Sequence, residues 1–239
     1  MKKNRWAVEQ DTLDRLDALP KVKAIRDFYS ECKPIYFTLL KNEYNLLKKS
    51  FPGMDFSVDA RFKSFRSTLD KMVEQSKKGK DVYDYFGVRY TINSVNGSTD
   101  PAVLEDACRE VMEYLMLVVP SSMEMRERRK DYIEHPKPNG YQCLHATRVH
   151  TFPKPFCSEI QVKASYMNTE EIAHKFYKPV AASKLVDDIP DMFEYHFDKN
   201  GYCIGVTSLP LNRSYEKYFG VPFVAENEKV TEQDALVTR

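Results

Sequence analysis

Two carboxylates stand in segments otherwise built for burial. Asp84 opens the run YFGVRYTI and Glu159 sits inside FCSEIQV, both rich in β-branched and aromatic residues. A carboxylate in such surroundings needs a partner. Two readings are open at this point. Each acid is satisfied by an ion pair with Arg61 or Arg89, or the two acids, on adjacent strands, hold one divalent cation and leave sites for phosphate oxygens, as Mg²⁺ prefers. The nearby cations suit a polyphosphate. Arg61 and Lys63 alternate on one face at a strand end, Arg89 lies five residues after Asp84, and Lys71 falls one helical face further on. Fixed donors and a metal together neutralise such a charge.

The stretch NGYQCLH, residues 139–145, adds a ring. Pro138, Asn139 and Gly140 make a turn that tolerates positive φ and projects Tyr141. Stacking of a nucleobase on an aromatic ring contributes about 1–3 kcal/mol and is tolerant of base identity. The plainer alternatives are an ordinary turn tyrosine and, for His145, a core histidine bonded to backbone.

These groups need a scaffold. From Lys21 to Ser50, apolar residues recur every three or four positions (Val22, Ile25, Tyr29, Cys32, Tyr36, Leu39, Leu40, Leu46, Leu47), the mark of a helix with one buried stripe. Pro34 must kink that helix or start a second. FSVDARF alternates as a half-buried strand ending near Arg61, Ser64 to Ser76 returns to helical spacing closed by KKGKD, and YFGVRYTI reads as a central strand. A helix from Pro101 to Met116 opens on Asp100. A strand follows near Arg126 to Ile133, then a hairpin of CLHATRVHTF and FCSEIQVKA around Pro153 and Pro155, then a helix from Tyr166 to Tyr177. FEYHF and YCIGV form another hairpin with Asn200 and Gly201 in its turn, and the chain beyond Ala225 is polar. The expected class is α+β, α/β-like: a mixed sheet of about five strands flanked by helices. Residues 1–50 are a helical segment, 51–180 the core, and 181–239 an extension with a hairpin and a polar tail.

Composition sets the broad class. In 239 residues, 42% hydrophobic and 30% charged, the chain is globular in type, and its net charge of +1 supplies no global field for nucleic acid. Arg126, Arg128, Arg129 and Lys130 are a local basic cluster, either a patch or a solvated face. No apolar run approaches the roughly 20 residues of a bilayer crossing. MKKNRWAVEQ has no apolar stretch behind its basic residues, so a cytoplasmic location without membrane contact is expected. The five cysteines form no CxxC pair and read as packing residues.

RFKS (61–64) with Lys71, DYFGVR (84–89), RRKDYIEHPKPNGYQCLH (128–145), EIQVK (159–163) and HKFYK (174–178) follow one another in an order that resembles the synthetase domain of the RelA/SpoT homologues, the alarmone synthetases. The resemblance implies a nucleotidyltransferase-like fold and a pyrophosphokinase, which moves the β,γ-pyrophosphate of ATP to the ribose 3′-hydroxyl of GDP or GTP, making (p)ppGpp and releasing AMP. It implies that Asp84 and Glu159 hold Mg²⁺, with Glu159 also helping to deprotonate the attacking hydroxyl. Arg61, Lys63, Ser64, Lys71 and Arg89 correspond to the ATP-binding set, with Arg61 and Lys63 also catalytic. Tyr141 corresponds to the ring that stacks on the acceptor base, with Lys137, Asn139, Gln142, His145 and Gln161 around it.

There are departures from the family pattern. No His-Asp pair of the family's hydrolase domain occurs, so a synthetase-only form is expected. Lys163 stands where Arg is usual and Ala146 where Thr is common, and Lys lacks the planar fork of Arg. The helix after Tyr166 is short, and the C-terminal third lacks the long helices of tetrameric relatives. A second reading is therefore kept: a toxin, paired with an antitoxin protein, that moves the same pyrophosphate onto the 3′ end of tRNA. Lys48, Lys49, Lys77, Lys78, Lys80 and Arg126–Lys130 are the candidate basic track. Adenosine acceptors, giving (p)ppApp, and a non-catalytic nucleotide sensor complete the alternatives. The retained Asp84, Glu159 and Tyr141 argue against the sensor.

Overall fold

The computed structural model describes residues 20–65, 67–68, 71–72, 83–118, 122–124, 128–151, 155–168 and 190–220. The chain begins with α1 (Pro20–Ser50), whose buried positions Cys32, Tyr36, Leu40, Glu43 and Leu47 run along one stripe. Pro34 neither splits nor ends it. Pro34 and Ser30, whose carbonyl loses its helical partner, are both exposed, and Thr38 Oγ1 donates to the Pro34 carbonyl at 3.1 Å, so no backbone group is stranded in the core.

The strands are β1 (Met54–Phe62), β2 (Phe86–Val95), β3 (Ser122–Glu124), β4 (Lys130–Asp131), β5 (Leu144–His150), β6 (Phe156–Ala164), β7 (Asp191–Phe197) and β8 (Cys203–Ser208). They form one eight-stranded sheet in the order β3-β5-β6-β2-β1-β7-β8, with β4 paired to β5. The pairing is antiparallel except between β2 and β6, which makes the sheet mixed as expected. The count exceeds five because short strands extend one edge and the C-terminal hairpin the other. That hairpin is joined to the core, since Arg61 and Phe62 of β1 pair with Met192 and Asp191 of β7.

Alternation along the strands separates two faces. Ala60, Phe62, Phe86, Val88, Tyr90, Ile160, Val162, Leu144 and Ala146 are buried in the core that α1 and α2 (Pro101–Val118) cover. Asp100 begins α2 as expected, its Oδ1 accepting from the Ala102 and Val103 amides. The opposite face carries Arg61, Gly87, Arg89, Glu159, Gln161 and His145, all half-buried. A buried polar cluster ties the layers: Glu43 of α1 accepts from Arg148 of β5 at 2.6 Å and from the Tyr90 hydroxyl of β2 at 2.8 Å.

One expected strand is shorter where it is described. Of the strand expected near Arg126 to Ile133, residues 126 and 127 lie outside the described residues, Lys130–Asp131 form the two-residue β4, and a turn follows, because Asp131 Oδ1 accepts from the Ile133 and Glu134 amides and folds the chain over. Arg109 of α2 fixes Asp131 from the other side. Of the helix expected from Tyr166, residues Ser165–Asn168 are a 3-10 turn and the rest lies outside the described residues. Of Ser64 to Ser76, residues 65, 67, 68, 71 and 72 are helical, and KKGKD lies outside them, as does the polar tail. Among the described residues no helix is long and apolar enough to cross a membrane. All five cysteines are free. A further helix, α3 (Leu211–Phe219), closes on Gly220, whose φ of 70° suits glycine.

Candidate active site

The polar face of the sheet is organised in rows across the strands. One row runs Arg61–Gly87–Glu159–Thr147 on β1, β2, β6 and β5. The next runs Arg89–Gln161–His145 on β2, β6 and β5. Gly87 lies between Arg61 and Glu159, and a Cβ built there meets nothing within 4 Å. The sequence thus leaves open space between a fixed cation and a fixed acid.

Lys63 continues the β1 ladder past its end, its amide donating to the Tyr85 carbonyl at 2.9 Å. This brings its side chain to Asp84, which lies just before β2 rather than within it. Lys63 Nζ donates to Asp84 Oδ2 at 2.6 Å and Lys71 Nζ to the same oxygen at 2.5 Å. Tyr29 of α1 holds the turn that carries Lys71 through a 2.7 Å bond to Thr68. Burial raises the Asp84 carboxyl, but the two ammonium groups outweigh it and hold it below the usual carboxylate range. Burial pushes Lys63 down, and Lys71 and Arg61 push the same way, against Asp84. The ion-pair reading of Asp84 therefore holds with different partners, lysines in place of Arg61 or Arg89.

Asp84 Oδ1 is buried and has no hydrogen-bond partner among the described residues. An orphaned carboxylate oxygen beside two lysine ammonium groups is the kind of donor a magnesium ion would use. Among the described residues no three His, Cys, Asp or Glu side chains cluster as a metal cage. Mg²⁺ bound with substrate phosphates needs only one or two carboxylates, so the donor set fits.

Each Glu159 carboxylate oxygen has a side-chain partner. His145 Nδ1 lies 3.2 Å from Oε1, and Gln161 Nε2 donates to Oε2 at 2.8 Å. Gln161 Oε1 accepts from Arg89 Nε and Nη2 at 2.9 and 2.6 Å, so the Gln161 amide links Arg89 to Glu159. Burial opposes ionisation of Glu159, but the His145 and Gln161 hydrogen bonds, with Lys63 close by, hold its carboxyl down to about 2. Lys63 is thus the charge felt by both acids.

On the other side, His145 Nε2 is 2.9 Å from the Tyr141 hydroxyl. An ionised Glu159 can only accept, so Nδ1 carries a proton; a neutral His145 then accepts from Tyr141 at Nε2. The turn before Tyr141 is built as expected, with Gly140 at φ 76° and Asn139 Oδ1 accepting from the Tyr141 amide at 3.4 Å. The ring is half-buried, not freely projecting. Lys137 Nζ lies 4.5 Å from its centroid and 4.6 Å from that of Tyr132. Tyr132 packs edge-on to both Tyr141 and His145.

Two expected contacts serve the scaffold. Ser64 is buried and its Oγ accepts from the Ser67 amide at 3.3 Å, capping a helical turn. Gln142 Nε2 donates to the Ile133 carbonyl at 3.3 Å and braces the loop. Sequence reading missed Tyr132, Gly87 and Thr147. It also missed Tyr83, whose ring lies 4.2 Å from the Arg128 guanidinium, while Arg128 Nε donates to Thr147 at 3.4 Å. Each of these except Thr147 stands inside or beside a quoted motif, which was the available signal.

A family model described as the region found in RelA / SpoT proteins matches residues 60–180. Over 143 residues the chain is 30% identical to the chloroplastic GTP diphosphokinase CRSH2 of Oryza sativa subsp. japonica, covering 55% of this chain and 24% of that protein. Over 177 residues it is 30% identical to guanosine-3′,5′-bis(diphosphate) 3′-pyrophosphohydrolase of Borreliella burgdorferi, covering 69% of this chain and 24% of that protein. The chain spans about a quarter of the length of these relatives. A GTP pyrophosphokinase family protein from Streptococcus pneumoniae superposes with a TM-score of 0.51 at 22% identity, over 67% of this chain and 78% of that one. At that identity the likeness speaks for the fold.

Proposed function

Because the chain belongs to the RelA/SpoT family, we propose that it is a pyrophosphokinase that transfers the β,γ-pyrophosphate of ATP to the 3′-hydroxyl of a guanosine nucleotide. The observation that carries this reading is the line Tyr141–His145–Glu159, in which the stacking ring and the site acid are two hydrogen bonds apart. A nucleoside whose base lies on Tyr141 brings its ribose toward Glu159. The curated relatives with GTP diphosphokinase names support the acceptor class.

In this reading the 3′-oxygen attacks the β-phosphorus of ATP in line, the bond from that phosphorus to the α,β-bridging oxygen breaks, and AMP leaves. A magnesium ion held by Asp84 Oδ1 and Glu159 would neutralise phosphate charge. Arg61, Lys63 and Lys71 grip the phosphates, and Gln161 aims Arg89 at them. With its carboxyl at about 2, Glu159 stays ionised at neutral pH, accepts a hydrogen bond from the 3′-hydroxyl and orients it. So weak a base favours alignment over proton storage. Transfer of this kind depends on positioning and charge neutralisation more than on covalent help.

The tRNA-directed alternative, with its antitoxin partner, draws less from the geometry. Within its basic track Arg129 pairs with Glu113 and Arg128 lies on Tyr83 beside Thr147, while Lys77, Lys78, Lys80 and Arg126 fall outside the described residues. The purified chain, given ATP and GDP with Mg²⁺, is expected to release AMP equal in amount to a 3′-pyrophosphorylated guanosine nucleotide. Formation of ADP or free pyrophosphate without that product would overturn the reading.

A further inference from the structure

The helix α3 lies against the polar face of the sheet at β1. Lys217 Nζ reaches Asp59 Oδ1 at 3.0 Å and the Phe193 carbonyl at 3.1 Å, and Ser214 Oγ accepts from the Met192 amide at 3.2 Å. Asp59 and Arg61 point to the same face of β1. One residue beyond Lys217, the ring of Tyr218 faces Arg61, with the guanidinium carbon 5.2 Å from its centroid. Arg61 is the cation opposite Glu159 across the open position at Gly87.

Arg is long and unbranched, and fixing it in place costs rotamer entropy. A ring packed on one face of the guanidinium offsets that cost before the nucleotide arrives and leaves the N–H edges free for phosphate. We infer that Tyr218 is a positioning residue for the donor nucleotide, holding Arg61 toward the space over Gly87, and that α3 is thereby a wall of the ATP site. The inference rests on the reading that Arg61 belongs to a donor-phosphate site. It gives the C-terminal segment a role that no motif in residues 61–178 announces.

The test compares wild type, Tyr218→Ala, Tyr218→Phe and Lys217→Met. Two readouts are used: calorimetric binding of the α,β-methylene analogue of ATP, and separate KM values for ATP and for the guanosine acceptor. Tyr218→Ala is expected to weaken the analogue and raise the ATP KM by about two- to fivefold, the size of a partly exposed cation–π contact, with the acceptor KM unchanged. Tyr218→Phe restores both, because the ring and not the hydroxyl acts. Lys217→Met shifts the ATP KM in the same direction by loosening the helix. Equal binding in wild type and Tyr218→Ala, tighter binding in the variant, or equal shifts in both KM values would overturn the inference while leaving the pyrophosphokinase reading intact. A wild-type chain that binds no analogue would overturn the donor site itself, and this inference with it.

Discussion

His145 and Glu159 face each other across β5 and β6, Nδ1 to Oε1 at 3.2 Å, one row apart on the polar face. This contact, with the Gln161 amide, holds the Glu159 carboxyl at about 2 against an ordinary 4.5. A depressed folded-state value contributes stability that is complete above the unfolded pKa and is lost as pH falls through the folded one. The window is therefore pH 4.5 down to about 2. Urea midpoints measured at pH 6 and pH 3 are expected to fall further in wild type than in Glu159→Gln. An identical fall in both would remove the assigned coupling.

Gly87 separates folding from function. Valine there meets open space and suits a strand, so Gly87→Val is expected to match or exceed wild-type stability by up to about 1 kcal/mol. The same side chain would stand between Arg61 and Glu159, and turnover should drop at least tenfold. Thermal melting and initial rates on one preparation check both halves.

Tyr141→Ala removes a stacking surface worth about 1–3 kcal/mol, which corresponds to roughly a five- to 150-fold rise in acceptor KM. Tyr141→Phe keeps the ring and loses the bond to His145, so its acceptor KM should stay near wild type while kcat falls. Steady-state kinetics with acceptor varied at saturating ATP separate the two.

Glu43→Ala leaves Arg148 charged in the core without its carboxylate and deprives the Tyr90 hydroxyl of its acceptor. Loss of one partner of a buried pair costs about 3–5 kcal/mol. Chemical denaturation should report a loss of that size. A loss below 1 kcal/mol would mean that the pair adds nothing to the packing of α1 on the sheet.

Much of this was legible because strand alternation is a strong local signal. The period-two pattern of FSVDARF put Arg61 opposite the buried residues, and the structure keeps it there; FCSEIQVKA read as a strand built for burial that Glu159 interrupts, and the structure shows the same alternation in it, with Glu159 between buried Ser158 and Ile160. Register was not legible. That Gly87 falls between those two residues depends on the parallel pairing of β2 with β6, which no local spacing encodes. Glu43 was missed for a different reason: it continues the apolar stripe of α1 at the right spacing, but a charged residue there reads as a gap until Arg148, 105 positions later, supplies its partner. The end of the strand near Ile133 was misplaced because β-compatible residues surround Asp131, whose side chain turns the backbone. Tyr218 lies far from every motif, and only the fold brings it to Arg61.

The most direct test supplies ATP labelled in its β and γ phosphates to a mixture of GDP, GTP, ATP and bulk tRNA with Mg²⁺, alongside Asp84→Asn as the control. The expected result is both labels arriving together on the 3′ position of a guanosine nucleotide, with no transfer by Asp84→Asn. Label that stays on ATP, that appears only as free phosphate, or that is transferred equally well by Asp84→Asn would contradict the account.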